Sequence, residues 1–155
     1  QPVMGFNHGA GRPGRVVEAI RFTFLGTVAY SALCWLLCMA CPALLILIFN
    51  DDPAVIAHGA PALRIYFSLY VLMSLQMAAQ SVFVGLNRSK QAIFFSLLRK
   101  AVINAPLTVI LPLWMGTTGV FVAEAVSQLI GGLACSLTMY LTVYRPLKAQ
   151  AALRT

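Results

Sequence analysis

Four long apolar runs, separated by short polar breaks, govern what this chain can fold into. They lie at residues 22–49, 62–86, 91–114 and 118–143. A hydrocarbon core about 30 Å thick is crossed by about 20 apolar residues in a helix, so each run is long enough to span it. Backbone N–H and C=O groups in lipid must be bonded within the protein. The runs show little strand-like alternation, so they predict helices rather than barrel strands. The breaks, "NDDPAVIAHGAP", "NRSKQ" and "MGT", are rich in residues that punctuate helices. Charged residues make up 10% of the chain, against about 25% in soluble domains, and mean hydropathy is +0.84. The expectation is an all-α, polytopic helical bundle in a lipid bilayer.

The basic residues set the expected orientation. Arg12, Arg15 and Arg21 precede the first run, while the next break carries Asp51 and Asp52, with Arg64 only at its far edge. Arg88 and Lys90 stand in the third break, the fourth is uncharged, and the tail of residues 144–155 holds Arg145, Lys148 and Arg154. Basic and non-basic breaks alternate as four successive crossings require, which puts both ends of this segment in the cytoplasm. Residues 1–21 read as the cytoplasmic end of a preceding helix followed by a short interfacial helix, its arginines toward headgroups.

The same placement argues against nucleic acid as a partner. Seven net positive charges would have to gather on one exposed face among stacking aromatics, and they do not. Cys34, Cys38, Cys41 and Cys135 all lie inside apolar runs without metal-site or disulfide spacing, so they read as packing residues, and no metal is assigned. His8 and His58 fall on opposite sides of the predicted membrane. No catalytic constellation assembles, which excludes an enzyme and calls for no organic cofactor.

Ionisable groups at membrane depth are costly and are functional candidates by default. Arg99, Lys100 and Glu124 qualify, with Gln76, Gln80, Asn104 and Gln128 as neutral members. At 1.5 Å per residue Arg99 lies roughly 12 Å below the cytoplasmic face, Gln76 roughly 16 Å below it, and Glu124 roughly 9 Å from the opposite face. Arg99 and Glu124 are then offset by roughly 9 Å, too far for a direct ion pair. Arg99 is expected instead to bond Gln76 and Ser96, and Lys100 to snorkel to the interface. Gln76, Gln80, Arg99 and Asn104 are candidates for a substrate cavity or a gate, and Glu124 and Gln128 for coupling. Pro106 removes a backbone bond to Val102 and predicts a helix bend. Phe24, Tyr30, Trp35, Phe67, Tyr70, Phe83, Phe94 and Phe95 form a candidate aromatic lining for flat cations.

Several stretches carry a family resemblance. "QPVMGFNHGAGRPGRVVEA" resembles the run that joins the eighth and ninth helices of multidrug and toxic compound extrusion (MATE) transporters, with Gln1, Pro2, Gly5, Asn7, Gly9, Ala10, Arg15 and Val16 in register. "RIYFSLYVLMSLQ" is similar to the tenth helix through Arg64, Tyr66 and Gln76. "AIFFSLLRKAVINAPLTVILP" is similar to the eleventh through Ala92, Ser96, Arg99, Pro106 and Pro112, and "GVFVAEAVSQLI" resembles the start of the twelfth. The chain departs from the family at Asn87-Arg88-Ser89, where a Gly-Lys-Pro turn is frequent, and at Ala125 and Gln128, where a proline and an acid are usual.

The resemblance implies a twelve-helix, two-lobe transporter of the bacterial cytoplasmic (inner) membrane, of which this chain supplies the end of helix eight and helices nine to twelve. It implies efflux of amphipathic organic cations by alternating access, with H⁺ or Na⁺ as the coupling ion. The N-terminal lobe would be its partner, and this segment alone would be inactive. The family's main coupling acid is on the first helix and a second site uses the seventh and tenth. The tenth-helix stretch here holds no acid, so the ion stays open. Two alternatives also stay open: a lipid-linked saccharide flippase of the same superfamily, favoured by Arg99 with Lys100, and a self-contained four-helix accessory subunit, packing through Gly131-Gly132 and Cys135.

Overall fold

The structure, a computed structural model, describes residues 1–153. Arg154 of the expected basic tail lies outside them. Among the described residues every regular element is helical: α1 (Pro2–Gly9), α2 (Pro13–Ala40), α3 (Pro42–Leu47), α4 (Pro53–Phe67), α5 (Tyr70–Gly85) and α6 (Ser89–Leu97) come first. A π-helical stretch (Leu98–Asn104) leads into α7 (Ala105–Ile110), α8 (Pro112–Met115) and α9 (Thr117–Met139); a second π stretch (Tyr140–Tyr144) leads into α10 (Arg145–Ala152). Three stretches are long and apolar enough to cross a membrane: Pro13–Ala40, Ser89–Met115 and Thr117–Ala152. A fourth crossing exists if α4 and α5, bent by 45° at Ser68–Leu69, count as one.

Proline explains where these elements start. Of the chain's 8 prolines, all but Pro61 stand in the first two positions of a helical element. For Pro2, Pro13, Pro42 and Pro53 the missing N–H leaves nothing unbonded and the fixed φ suits the first turn, whereas Pro106 and Pro146 follow helical residues directly. This shifts several expected boundaries. Pro13 starts α2, which runs without a break to Ala40, so no separate interfacial helix precedes the first span. Pro42 splits the run expected to continue to Phe49. Pro53, behind an Asp52 N-cap whose Oδ1 accepts from the Ala54 N–H at 2.8 Å, makes most of the expected 50–61 break helical. The expected 62–86 helix straddles the bend, taking in the end of α4 and all of α5. Of the expected tail, Arg145–Ala152 is helical.

The turn after α5 keeps its expected place. Asn87 takes a positive φ of 59°, and the Arg88 and Asn87 N–H groups donate back to Phe83 and Val84 at 2.7 and 3.1 Å. This is a helix stop with a left-handed residue, which asparagine adopts more readily than most side chains. It accounts physically for Asn87 where the resemblance leads one to expect glycine.

Packing is inverted relative to a soluble protein. Phe22, Leu113 and Trp114 are more than three-quarters exposed, whereas Gln76, Arg99, Ser127 and Gln128 are buried. An apolar exterior around a polar interior is what a bilayer solvates. Small residues bring α5 and α9 together: Ser74, Ala78 and Ala79 face Ala123, Ser127, Gly132 and Cys135. A Cβ on Gly132 would collide with the Leu72 carbonyl, so glycine there permits backbone contact of the kind membrane helices use for association. The main apolar core (Met4, Val16, Ile20, Val82, Phe83, Phe95, Met139, Val143, Leu147) lies where α1, α2, α5, α6, α9 and α10 meet. That end also carries Arg12, Arg15, Arg88, Lys90, Arg145 and Lys148, and Arg88 Nη1 donates to the Thr142 carbonyl at 3.3 Å.

Candidate functional site

The first long polar stretch of the interior lies between the π stretch after α6 and the middle of α9. Glu124 sits seven residues into α9, and three side chains converge on its carboxylate. Arg99 Nη1 donates to Oε1 at 3.0 Å, Asn104 Nδ2 donates to Oε2 at 2.7 Å, and Gln128 Nε2 donates to Oε1 at 3.3 Å from one turn along α9. Thr108 Oγ1 donates to the Asn104 backbone carbonyl at 2.8 Å, with Asn104 Oδ1 beside it at 3.2 Å. Ser127 is fully buried and donates to the Glu124 carbonyl at 2.9 Å.

The expectation that Arg99 and Glu124 stay apart is therefore wrong, and the geometry shows why. Gly131, seven residues past Glu124, lies against the Arg99 stem; a Cβ there would stand 2.8 Å from both Cγ and Cδ. Seven residues of helix are roughly 10 Å, so the offset between the two backbones is real. The extended arginine spans it, lying along the glycine groove of α9 with its guanidinium at Glu124. A depth estimate from Cα positions leaves out that reach.

The π register matters as much as the groove. In an α-helix residues 99 and 104, five apart, would stand about 140° apart around the axis, at 100° per residue. A π turn bonds residue i to i+5 and sets such residues on one face. Here the Ala105 N–H donates to the Lys100 carbonyl, so Arg99 and Asn104 both reach Glu124. Pro106 follows at once. It has no N–H for Val102, and its ring crowds the turn before it, which a wider turn relieves. The second π stretch likewise ends two residues before Pro146. Pro106 thus shapes the helix through a π turn, and Ser89–Met115 still runs as one span.

The remaining candidates go elsewhere. Gln76 Nε2 donates to the Phe95 carbonyl at 3.5 Å and Gln80 Nε2 to the Ala92 carbonyl at 3.4 Å, so both tie α5 to α6 rather than join Arg99. The expected Arg99 bonds to Gln76 and Ser96 are replaced by the pair with Glu124. Lys100 is exposed on the outside of the bundle. The aromatic set does not form one lining: Phe83 is buried and stacks on Phe95, with ring centres 6.2 Å apart, whereas Tyr30 and Phe94 are exposed. Thr108 and the seating role of Gly131 were not anticipated. Thr108 had a signal, since it lies one turn beyond Asn104 on the same face.

Chemically, the cluster is a lock between two helices. Three donors meet acceptor lone pairs, the arrangement an ionised carboxylate offers. Arg99 Nε and Gln128 Oε1 are buried beside it without hydrogen-bond partners, so the network has spare bonding capacity.

The MatE family model matches residues 1–110, which include Gln76, Gln80, Arg99, Asn104 and Pro106, while Glu124 and Gln128 lie beyond it. No curated protein and no solved structure gives a significant match to the chain. The match runs from α1 through α7 and takes in 110 of 155 residues, so the chain belongs to the MatE family, a family of membrane transporters and not of enzymes.

Proposed function

We propose that the chain is the C-terminal part of a secondary transporter that exports amphipathic, often cationic compounds by alternating access, against an inward flow of protons or sodium ions. It sits in a bacterial cytoplasmic membrane with both ends of the segment cytoplasmic, beside an N-terminal lobe that shares the transport cavity. The single observation that supports this reading is the Arg99–Glu124 pair at 3.0 Å, which joins a buried arginine to a half-buried acid across two helices of an apolar bundle. Charges are kept at membrane depth where a moving or exchanging charge needs them.

The mechanism follows from the donors around Glu124. A proton or a cation arriving at the carboxylate offsets the charge that holds Arg99, even where it takes a lone pair not already in use. The weakened contact loosens the π stretch and α7 from α9. Gln76 and Gln80 keep α5 bonded to α6, so these two helices move together. The coupling ion biases two conformations by its different affinity for each. Two other readings are less well supported. A flippase for phosphate-bearing lipids would use free cations, yet Arg99 is paired. A self-associating accessory subunit would use the Gly131-Gly132 face, yet this face is filled by Arg99 and Leu72 of the same chain.

The test is efflux of a fluorescent lipophilic cation from vesicles carrying the intact protein. Glu124→Gln is expected to reduce efflux about tenfold or more per folded transporter reconstituted, because each charge-assisted contact that differs between states is worth about 1.5–3 kcal/mol. Unchanged efflux would remove Glu124 from coupling.

A further inference from the structure

We propose that the groove between α1 and the first turns of α2 is a binding site for an anionic phospholipid, with its phosphate at Arg12 and Arg15 and an acyl chain along Val3 and Phe22. This goes beyond the transport reading and does not depend on it. The groove has a volume of about 690 Å³, within the range of about 300–1,000 Å³ that ligand sites occupy. Its walls differ in chemistry. Arg12, Arg15 and Asn7 line it together with the apolar Val3 and Phe22, and Phe22 lies about ten residues along α2 from Arg12. Arg12, Arg15 and Phe22 follow helical spacing, so they share one face of α2. Arg12 to Phe22 is roughly 15 Å along the axis, a distance that leads from headgroup level into acyl chains.

Charge selects the occupant. The one ion pair among the described residues is Arg99–Glu124, so neither arginine of the lining is neutralised by a carboxylate. Glu18 also lines the groove, one turn from Arg15, and leaves the lining at two arginines against one acid. Guanidinium groups take phosphate oxygens two at a time, which lysine does not. A free phosphate would satisfy the arginines and leave Phe22, 79% exposed, and Val3, 62% exposed, without a cover. A protein segment that covered those residues would leave the arginines unpaired unless it were acidic. A phospholipid with a net negative headgroup supplies both halves. Basic pockets between membrane helices bind such headgroups on these terms.

The experiment is native mass spectrometry of the intact protein, released from mixed phosphatidylglycerol and phosphatidylcholine. Retention of phosphatidylglycerol over phosphatidylcholine is expected in the wild type and is expected to fall about tenfold or more in Arg12→Gln/Arg15→Gln. Arg145→Gln/Lys148→Gln removes equal charge from the same end and is expected to keep the preference. Phe22→Ser keeps both arginines and is expected to weaken retention of the lipid. The proposal is overturned if the two charge-removing pairs act alike, if inorganic phosphate displaces the lipid as well as phosphatidylglycerol does, or if the wild type has no headgroup preference. It is also overturned if a thiol cross-linker on Phe22→Cys captures another segment of the protein in place of lipid.

Discussion

Removing either partner of the Arg99–Glu124 pair should destabilise the bundle, and the two removals should not be equal. Glu124→Gln leaves Arg99, 6% exposed, without a counter-charge: an amide oxygen can still accept from Nη1, but the amide NH2 then opposes the Asn104 donor, and Nε is already without an acceptor. A buried charge stripped of its partner costs about 3–5 kcal/mol. Snorkelling would relieve this for a free arginine, but the stem is held in the Gly131 groove. Arg99→Gln leaves Glu124 with Asn104 and Gln128, so only one charge-assisted contact is lost, about 1.5–3 kcal/mol. The double substitution should cost less than the sum, by a coupling of about 1–3 kcal/mol. Hydrogen bonds between membrane helices average about 0.6 kcal/mol in such cycles, so a coupling above about 1 kcal/mol marks the charges rather than the bond alone. The assay is reversible unfolding of the purified intact protein in mixed detergent. Additivity within about 0.5 kcal/mol, or an Arg99→Gln protein less stable than Glu124→Gln, would refute the account.

Two further outcomes are expected. Pro106→Ala should let the π stretch relax toward α register and turn Asn104 away from Glu124. Asn104→Ala should then cost about 1.5–3 kcal/mol in the wild type and nearly nothing beside Pro106→Ala, read by the same unfolding assay. A membrane-permeant maleimide should label exposed Cys41 in the folded protein and buried Cys135 only after unfolding; equal rates would contradict the packing of α9 against α5.

The bilayer class and the approximate positions of the crossings were legible because they rest on composition and run length, which helices in lipid cannot evade. The finer boundaries were legible in principle through proline. Pro42 and Pro53 mark helix starts as clearly as Pro13 does, but a reading by hydropathy treats Pro53 as part of a loop. Of the site, the residue types were legible, since Arg99, Asn104, Glu124 and Gln128 are conspicuous in apolar surroundings. Their convergence was not. It depends on the reach of an arginine along Gly131 and on a π turn, and neither quantity appears in a count of residues from a membrane face.

The two unexpected features have a common origin. Pro106 removes the backbone bond that would hold the α register, so the turn before it can widen at little cost. Widening brings Asn104 to the side of Arg99, and together they face α9 where Gly131 leaves space. The proline and the glycine are ordinary for membrane helices; the buried arginine and the acid are not. In combination they set a charged contact at the place where backbone bonding is already incomplete. Such a helix can change its hold on α9 by shifting a π turn, without breaking an intact α-helical ladder. That is the physical reason to look for coupling at Glu124 rather than at the glutamines of α5, whose bonds go to the backbone of the adjacent helix and carry no charge.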